Sequence, residues 1–162
     1  MPFELRPFPT PTLRPEGDYL QQAWSQSVYP LAAKMGVEIK LPTVSPQPHT
    51  HLAFEGFQYA KEHRKGYDYN SRLLRAFFQE DEDIGQIDVL AKLAMEVALD
   101  EENFKQALET RKYQAAHQQA LRHAGQMGIT AVPAFQVGEH LLPGLQSKET
   151  ISRAIEIAGD GK

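Results

Sequence analysis

The hydrophobic periodicity of the chain changes at Gly128, and this change constrains the fold more than any other feature of the sequence. Before it, apolar residues recur at helical spacing. After it, the apolar runs "AFQV" and "HLLP" are separated by Gly138 and Glu139. A Gly-X pair between two apolar runs is typical of a tight two-residue hairpin. The sequence therefore predicts a long helical segment, then one β-hairpin.

The helical segment, residues 18–127, is predicted to contain a series of amphipathic helices. Pro30 interrupts the first pattern, so we expect one kinked helix or two, and we expect a turn at Gly66. The predicted N-caps of later helices are Thr50, Asn70, Asp100 and, for the last helix of the chain, Ser147. A further helix is predicted from about Arg111 to Ala124.

Four large apolar residues lie in the middle of this segment, namely Phe77, Phe78, Leu90 and Leu93. Their helical spacing favours a hydrophobic core. The alternative, which the family resemblance given below implies, is that they floor a peptide-binding groove near Pro133.

The N-terminus begins with "PFELRP", which predicts a short strand over Phe3–Leu5, and continues as a proline-rich loop. Prolines 7, 9, 11 and 15 exclude both a helix and a central strand there. The predicted organisation is a single domain over 1–162. It divides into the strand and loop (1–17), the mainly helical insertion (18–127), and a proline loop, hairpin and C-terminal helix (128–162).

Composition limits the function classes. The formal net charge is -4, so there is no basic excess for binding nucleic acid. No apolar run is long enough to cross a membrane and the N-terminus does not resemble a secretory signal, which favours a cytoplasmic location. The 162 residues contain no cysteine, which excludes thiol chemistry on these residues themselves.

Three groups of residues are candidate metal sites, namely two pairs that contain histidine and one acidic run. His49 and His51, or Glu139 with His140, could each supply a pair of ligands, but no third ligand follows from their positions, so solvated histidines are the better interpretation. The acidic run "QEDEDIGQID" lacks the alternating pattern of a calcium loop and is predicted to be a solvated helix boundary. We therefore predict no metal and no cofactor.

Pro133 stands directly before the first apolar run of the hairpin. One interpretation is simple strand entry, where the missing N–H of proline is tolerated. The other is a cis proline, which would leave the backbone of Val132 free to pair with an incoming extended peptide.

The motif "GITAVPAFQVGEHLLPGLQSKETISRAI" resembles the C-terminal part of the DsbA-like thioredoxin-fold proteins. The segment "RLLRAFFQEDEDIGQIDVLAKLAMEVALDEENF" is similar to the helical insert of their FrnE-type branch, close to the 2-hydroxychromene-2-carboxylate isomerases. The resemblance implies an α/β, thioredoxin-like fold with a large all-helical insertion. It also implies disulfide oxidoreductase function, protein or peptide thiol or disulfide substrates, and substrate binding at Ala131, Val132 and Pro133.

The chain departs from that family at its beginning. The family opens with a strand, a C-x-x-C motif and a helix, and all three are missing before "PFELRP". Either the chain starts at an internal methionine, or the protein has lost its active site. With no cysteine we predict no catalytic residue in this chain and no redox activity. The alternatives are a relative of the isomerases or of kappa-type glutathione transferases, with glutathione as a possible partner, and a non-catalytic peptide-binding or structural domain.

The missing strand would lie between the strand over Phe3–Leu5 and the strand over Ala134–Val137, so two sheet edges would be exposed. Exposed edges recruit strands. We expect the gap to be closed by strand exchange in a homodimer, or by the N-terminal strand moving into it.

Overall fold

The structure is a computed structural model that describes residues 2–160 and divides the chain into two compact units. The helical unit comprises Glu4–His117. The C-terminal unit comprises Met1–Phe3 with Gln118–Lys162. The sequence placed the end of the helical insertion between residues 127 and 128, ten residues beyond the boundary at 117. The single domain over 1–162 stays a prediction.

The described residues are mainly helical. The helices are α1 (Asp18–Ala23), α2 (Tyr29–Met35), α3 (His51–Glu62), α4 (Gly66–Gln79), α5 (Ile87–Glu96), α6 (Glu101–Glu109), α7 (Gln114–Gln126) and α8 (Lys148–Asp160). A π-helical turn, Trp24–Val28, joins α1 to α2. The strands are β1 (Ala134–Val137) and β2 (His140–Pro143), and α7 begins in the helical unit and ends in the C-terminal unit.

The core of the helical unit lies between α3, α4, α5 and α6, which pack against one another. Its largest fully buried apolar side chains are Tyr69, Phe104, Leu90, Leu93 and Leu108. The ring of Phe104 lies against Tyr59 and Tyr69, with centroids 5.1 and 5.4 Å away. A Cβ on Gly56 would lie 2.6 Å from Phe104 Cζ, so α3 presents a glycine where this ring approaches it.

Three of the four apolar residues predicted in α4 and α5 belong to the core or pack against it, and the fourth, Phe78, is half-buried beside them. Leu90 and Leu93 are fully buried, and Phe77 packs against the core cluster. Phe78 contacts the rings of Phe77 and Trp24, with centroids 4.9 and 6.0 Å away.

The interruption predicted at Pro30 is also observed. Pro30 is the second residue of α2, directly after the π-helical turn. A proline has no backbone N–H, and the first turn of a helix does not need that donor. Pro30 therefore lies where the loss of a backbone N–H destabilises the helix least.

The strand predicted over Phe3–Leu5 is wrong. Those residues form no strand, and within residues 2–160 the only ladder is the one between β1 and β2. A strand requires a hydrogen-bonded neighbour, and the described part of the chain supplies none for residues 3–5.

The predicted cap at Asn70 and the turn at Gly66 are also wrong, because α4 begins at Gly66 and contains Asn70. The turn is made instead by Arg64, whose φ is 60°, and the N–H of Lys65 donates to the carbonyl of Ala60 at 2.7 Å. Gly66 has a different role, since a Cβ there would lie 2.9 Å from Lys61 Cγ. Propensity alone does not separate a glycine used for a turn from one used for a close approach.

The acidic run between α4 and α5 is a helix boundary, as predicted, but its carboxylates make specific contacts. Asp81 accepts hydrogen bonds from the backbone N–H and the hydroxyl of Thr43, and Asp83 Oδ1 accepts one from the N–H of Gly85 at 2.9 Å. The backbone of Asp81 has a φ of 61°. The bonds of Asp81 attach the connection between α4 and α5 to Thr43, and the bond of Asp83 lies within that connection.

Two of the predicted caps form side-chain hydrogen bonds and one does not. Asp100 Oδ1 accepts from the N–H of Asn103 at 2.8 Å, and Ser147 Oγ accepts from the N–H of Thr150 at 3.1 Å. Thr50 precedes α3 as expected, but its side chain makes no capping bond.

Replacing Asp100 with alanine is expected to lower the free energy of unfolding by about 1 kcal/mol, because a first-turn N–H loses its acceptor and the first turn of α6 loses a favourable negative charge. Thr50→Ala is the matched control and is expected to change it by less than about 0.5 kcal/mol. Urea denaturation followed by circular dichroism measures both. Equal losses in the two variants would contradict the assigned caps.

The C-terminal unit contains the predicted hairpin, followed by α8. β1 and β2 are antiparallel, with Ala134 opposite Pro143 and Val137 opposite His140. Gly138 in the turn has a φ of 59°, and a Cβ on it would lie 3.1 Å from Ala158 Cβ of α8. Only glycine satisfies both conditions without strain.

This unit buries little apolar surface. Among its described residues the buried hydrophobic side chains are Ala124 and Ala154, whereas Leu145, Ile155 and Ile157 are each about half exposed. In residues 2–160 no helix is both long and apolar enough to span a membrane.

Candidate functional site

The loop that connects α7 to β1 carries the residues predicted to bind substrate. The chain leaves α7 through Gly128, whose φ is 77°. From Thr130 to Pro133 every residue is exposed, and the side chain of Val132 is 48% exposed. The peptide bond between Val132 and Pro133 is cis. Ala131, Val132 and Pro133 thus form one continuous exposed surface.

The backbone of this loop is attached to the hairpin at one point. The carbonyl of Pro133 accepts a hydrogen bond from the N–H of Gly144 at 2.9 Å, which extends the pairing of β1 and β2 by one step. No hydrogen bond within residues 2–160 engages the backbone of Ala131 or Val132. Two consecutive exposed residues therefore have backbone donors and acceptors available for another chain.

Exposed backbone with free N–H and C=O groups is what β-strand addition pairs with. Val132 adds an exposed apolar side chain, which a peptide could cover. The hairpin and α8 hold the far end of the segment, because α8 packs against β1. The role of Ala131, Val132 and Pro133 in peptide binding stays a prediction.

The two pairs of residues considered as metal ligands differ in how exposed they are. Glu139 and His140 are exposed at the hairpin turn. His49 and His51 are half-buried, so the solvated state expected for them is wrong. Within residues 2–160 no three His, Cys, Asp or Glu side chains are grouped as metal ligands would be.

A buried polar cluster in the helical unit could not be predicted from the sequence. His117, in the first turns of α7, is 97% buried, and its Nε2 lies 2.6 Å from Glu4 Oε1. The ring of Phe54 stacks on the His117 ring at a centroid distance of 5.5 Å. The only signal in the sequence was His117 itself, on a helix with few apolar residues.

An ion pair lies next to Phe54 in the same cluster. Glu55 on α3 is fully buried, and both its carboxylate oxygens accept hydrogen bonds from the Arg111 guanidinium, at 2.6 to 3.2 Å. Arg111 has a φ of 54° in the turn before α7. The bidentate pair raises the pKa of Arg111, chiefly through its hydrogen bonds to Glu55.

His51 lies at the start of α3, beside this ion pair. Burial lowers the pKa of His51, the positive charge of Arg111 lowers it further, and Glu4 and Glu55 act in the opposite direction. Its Nδ1 atom is buried and has no hydrogen-bond partner among the described residues. The neutral imidazole is therefore the form that this position favours.

A polar surface cavity of about 340 Å³ lies elsewhere in the helical unit, between the end of α3 and α6. Its lining residues are Tyr59, Glu62, His63, Asn103, Gln106, Ala107, Thr110 and Lys112. Beside it, burial and a 2.6 Å hydrogen bond to Glu62 raise the pKa of Tyr113 to about 12. Both effects favour the protonated form of Tyr113.

Comparison with known families settles what kind of domain this is. The model of the DSBA-like thioredoxin domain matches residues 2–156. The chain belongs to the DSBA-like thioredoxin domain family. Both the predicted family and the predicted fold class, a thioredoxin-like fold with a helical insertion, are therefore confirmed, and the mostly helical structure with a two-stranded sheet agrees with them.

Two relatives of this DSBA-like chain extend the comparison. The uncharacterized protein YwbO of Bacillus subtilis (strain 168) is 55% identical over 157 residues, which cover 96% of this chain and 78% of YwbO. The crystal structure of a "putative protein disulfide isomerase" from Nitrosomonas europaea has a TM-score of 0.69 at 17% identity, covering 96% of this chain and 79% of that one. The second comparison shows a shared fold.

Proposed function

We propose that this DSBA-like chain docks extended polypeptides at residues 130–133, as the substrate-binding part of thiol–disulfide exchange. The observation that carries the proposal is the unpaired, exposed backbone of Ala131 and Val132 beside Pro133. The family supports it because disulfide chemistry acts on polypeptide thiols, and a backbone-reading surface accepts many sequences.

The chemistry limits what the chain does alone. Disulfide exchange begins when a thiolate attacks a disulfide sulfur, forming a mixed disulfide and releasing a second thiolate. These 162 residues contain no cysteine and so provide no attacking sulfur. We propose docking without exchange, so that any exchange at this surface draws its thiolate from outside the 162 residues.

Three finer assignments belong to the same proposal. They are the FrnE-type branch, a protein or peptide thiol or disulfide as partner, and a cytoplasmic location. The branch is supported by the helical segment quoted above, and the partner by the docking surface. Cell fractionation with an antibody to the chain tests the location.

The test uses one cysteine-free apolar peptide, labelled with fluorescein, and a second version with alternate backbone amides N-methylated. Fluorescence anisotropy measures both affinities. If docking pairs backbone with backbone, methylation removes hydrogen bonds of about 1 kcal/mol each and weakens binding roughly thirtyfold for two lost bonds. Equal affinity for both peptides would reject the proposal.

Protein variants locate the site. Pro133→Ala frees the backbone of the loop and is expected to weaken binding about fivefold, equivalent to about 1 kcal/mol of backbone entropy. Pro46→Ala is the matched control, because Pro46 is another exposed proline and lies in the helical unit. Equal effects of the two substitutions would place the peptide elsewhere.

A further inference from the structure

The N-terminal arm, which we define as residues 4–13, is attached to the rest of the helical unit at both ends. At one end Glu4 Oε1 contacts His117 Nε2 at 2.6 Å. At the other end the carbonyl of Leu13 accepts a hydrogen bond from the N–H of Gln47 at 2.8 Å. The middle of the arm therefore spans between two fixed points.

His49 and His51 contact the middle of the arm. The carbonyl of Thr10 lies 3.0 Å from His49 Nε2, so the ring donates to it. The ring of Phe8 lies against both His49 and His51, with centroids 5.4 and 5.5 Å away. Two other polar contacts of the middle, from Arg6 to the carbonyl of Pro11 and from the N–H of Thr10 to the carbonyl of Pro7, are internal to the arm. Histidine is the side chain whose charge changes most readily near neutral pH.

The surroundings of His51 disfavour its charged form. Arg111 and His49 are the cations that act on it, and the two imidazole rings are 6.1 Å apart. Glu4 and Glu55 are the carboxylates that act on it, but they are already paired with His117 and Arg111. A proton on His51 thus adds a half-buried charge beside the Arg111 guanidinium, and both carboxylates that act on it are already paired.

We propose that the N-terminal arm is a pH-sensitive strap: proton uptake by His51 releases residues 6–12 from α3 while both ends of the arm and the helical core stay in place. Release exposes the two rings to water, where imidazolium is well solvated. The Glu4–His117 contact, at 2.6 Å between two buried side chains, holds the first residue of the arm in place. The open region is therefore the middle of the arm.

The direction with pH follows from linkage. Because burial depresses the pKa of His51 in the closed form, the closed form takes up its proton at lower pH than the open form does. The strap is closed above the ordinary histidine range, about pH 6.5, and opens as the pH falls below it. Each proton taken up on opening raises the open population by up to about tenfold per pH unit.

The chain's lack of cysteine allows a clean measurement. A nitroxide on Thr10→Cys reports the motion of the arm by electron paramagnetic resonance, because this side chain is exposed and only the backbone of Thr10 contacts His49. We expect the mobile fraction to rise several-fold between pH 7.5 and pH 5.0, with unchanged helical circular dichroism. In the His51→Gln variant the mobile fraction should not change between pH 7.5 and pH 5.0, whether that fraction is high or low. His140→Gln, which replaces an exposed histidine, is the matched control and should retain the increase.

Three results would overturn the strap. The first is a label whose mobility does not depend on pH between 7.5 and 5.0. The second is a rise that His51→Gln retains in full. The third is a rise that coincides with loss of helical signal, since the arm would then open only with global unfolding. Docking at residues 130–133 plays no part in these measurements, so the two proposals fail independently.

Discussion

Phe104→Ala is expected to lower the free energy of unfolding by about 4 kcal/mol, the largest of the expected losses in this chain. Phe104 is fully buried between α3 and α4, where it contacts the rings of Tyr59 and Tyr69 and faces Gly56. Removing the ring loses its burial and leaves a cavity that helices held by other contacts cannot fill. Urea denaturation midpoints, with the slope checked for constancy, give the value.

Tyr67→Ala is the control for this substitution, because it removes an aromatic ring that is 84% exposed. It should change the free energy of unfolding by less than about 0.5 kcal/mol. Phe104→Leu, which retains most of the apolar volume, should fall between the two. A loss below about 1 kcal/mol in Phe104→Ala would mean that the assigned core is not the one that stabilises the fold.

Arg111→Met is the second substitution with a large expected effect, about 3 kcal/mol of lost stability. It leaves the Glu55 carboxylate fully buried without its bidentate partner. The value is taken at the low end for a buried pair because the Arg111 side chain is 38% exposed and water can reach part of the site. Thermal and urea unfolding at pH 7.5 measure it.

Two further variants separate the charge from the packing. Glu55→Met together with Arg111→Met removes both charges, and should be less destabilising than the sum of the single substitutions. Lys92→Ala breaks an exposed pair with Glu82, at 3.8 Å, and should cost less than about 0.5 kcal/mol. Additive losses at Glu55 and Arg111 would show that their pairing does not account for the effect.

The parts of the fold that local signals determine could be predicted from the sequence. The hairpin follows from the Gly-X pair at Gly138, and the start of α6 from Asp100, whose side chain caps it. The interruption at Pro30 follows from its missing N–H. In each of these cases the residue and its structural partner lie within a few positions of each other.

Features that depend on distant partners could not be predicted. Phe3–Leu5 has the composition of a strand, but strand formation depends on a neighbour that sequence patterns do not reveal. His117 pairs with Glu4 across 113 positions, and Glu55 with Arg111 across 56. A half-buried His51 has the same sequence signature as a solvated one, so its environment is visible only in three dimensions.

The sequence could likewise predict only one part of the candidate site, namely which residues form it. The Val-Pro-x-Phe motif and the hairpin signal that follows it were sufficient to select Ala131, Val132 and Pro133. The free backbone groups of Ala131 and Val132 are visible only in the hydrogen-bond pattern, because no sequence pattern states which N–H and C=O groups lack a partner.

The near absence of buried apolar side chains in the C-terminal unit has an energetic consequence for recognition. With only two buried alanines among its described hydrophobic residues, little free energy opposes local opening, so its amides should exchange with solvent before those of α3 to α6. A ligand that binds only the ordered form of the C-terminal unit would raise the population of that form by mass action. Part of the contact energy of such a ligand is then consumed in ordering this unit, which lowers the affinity.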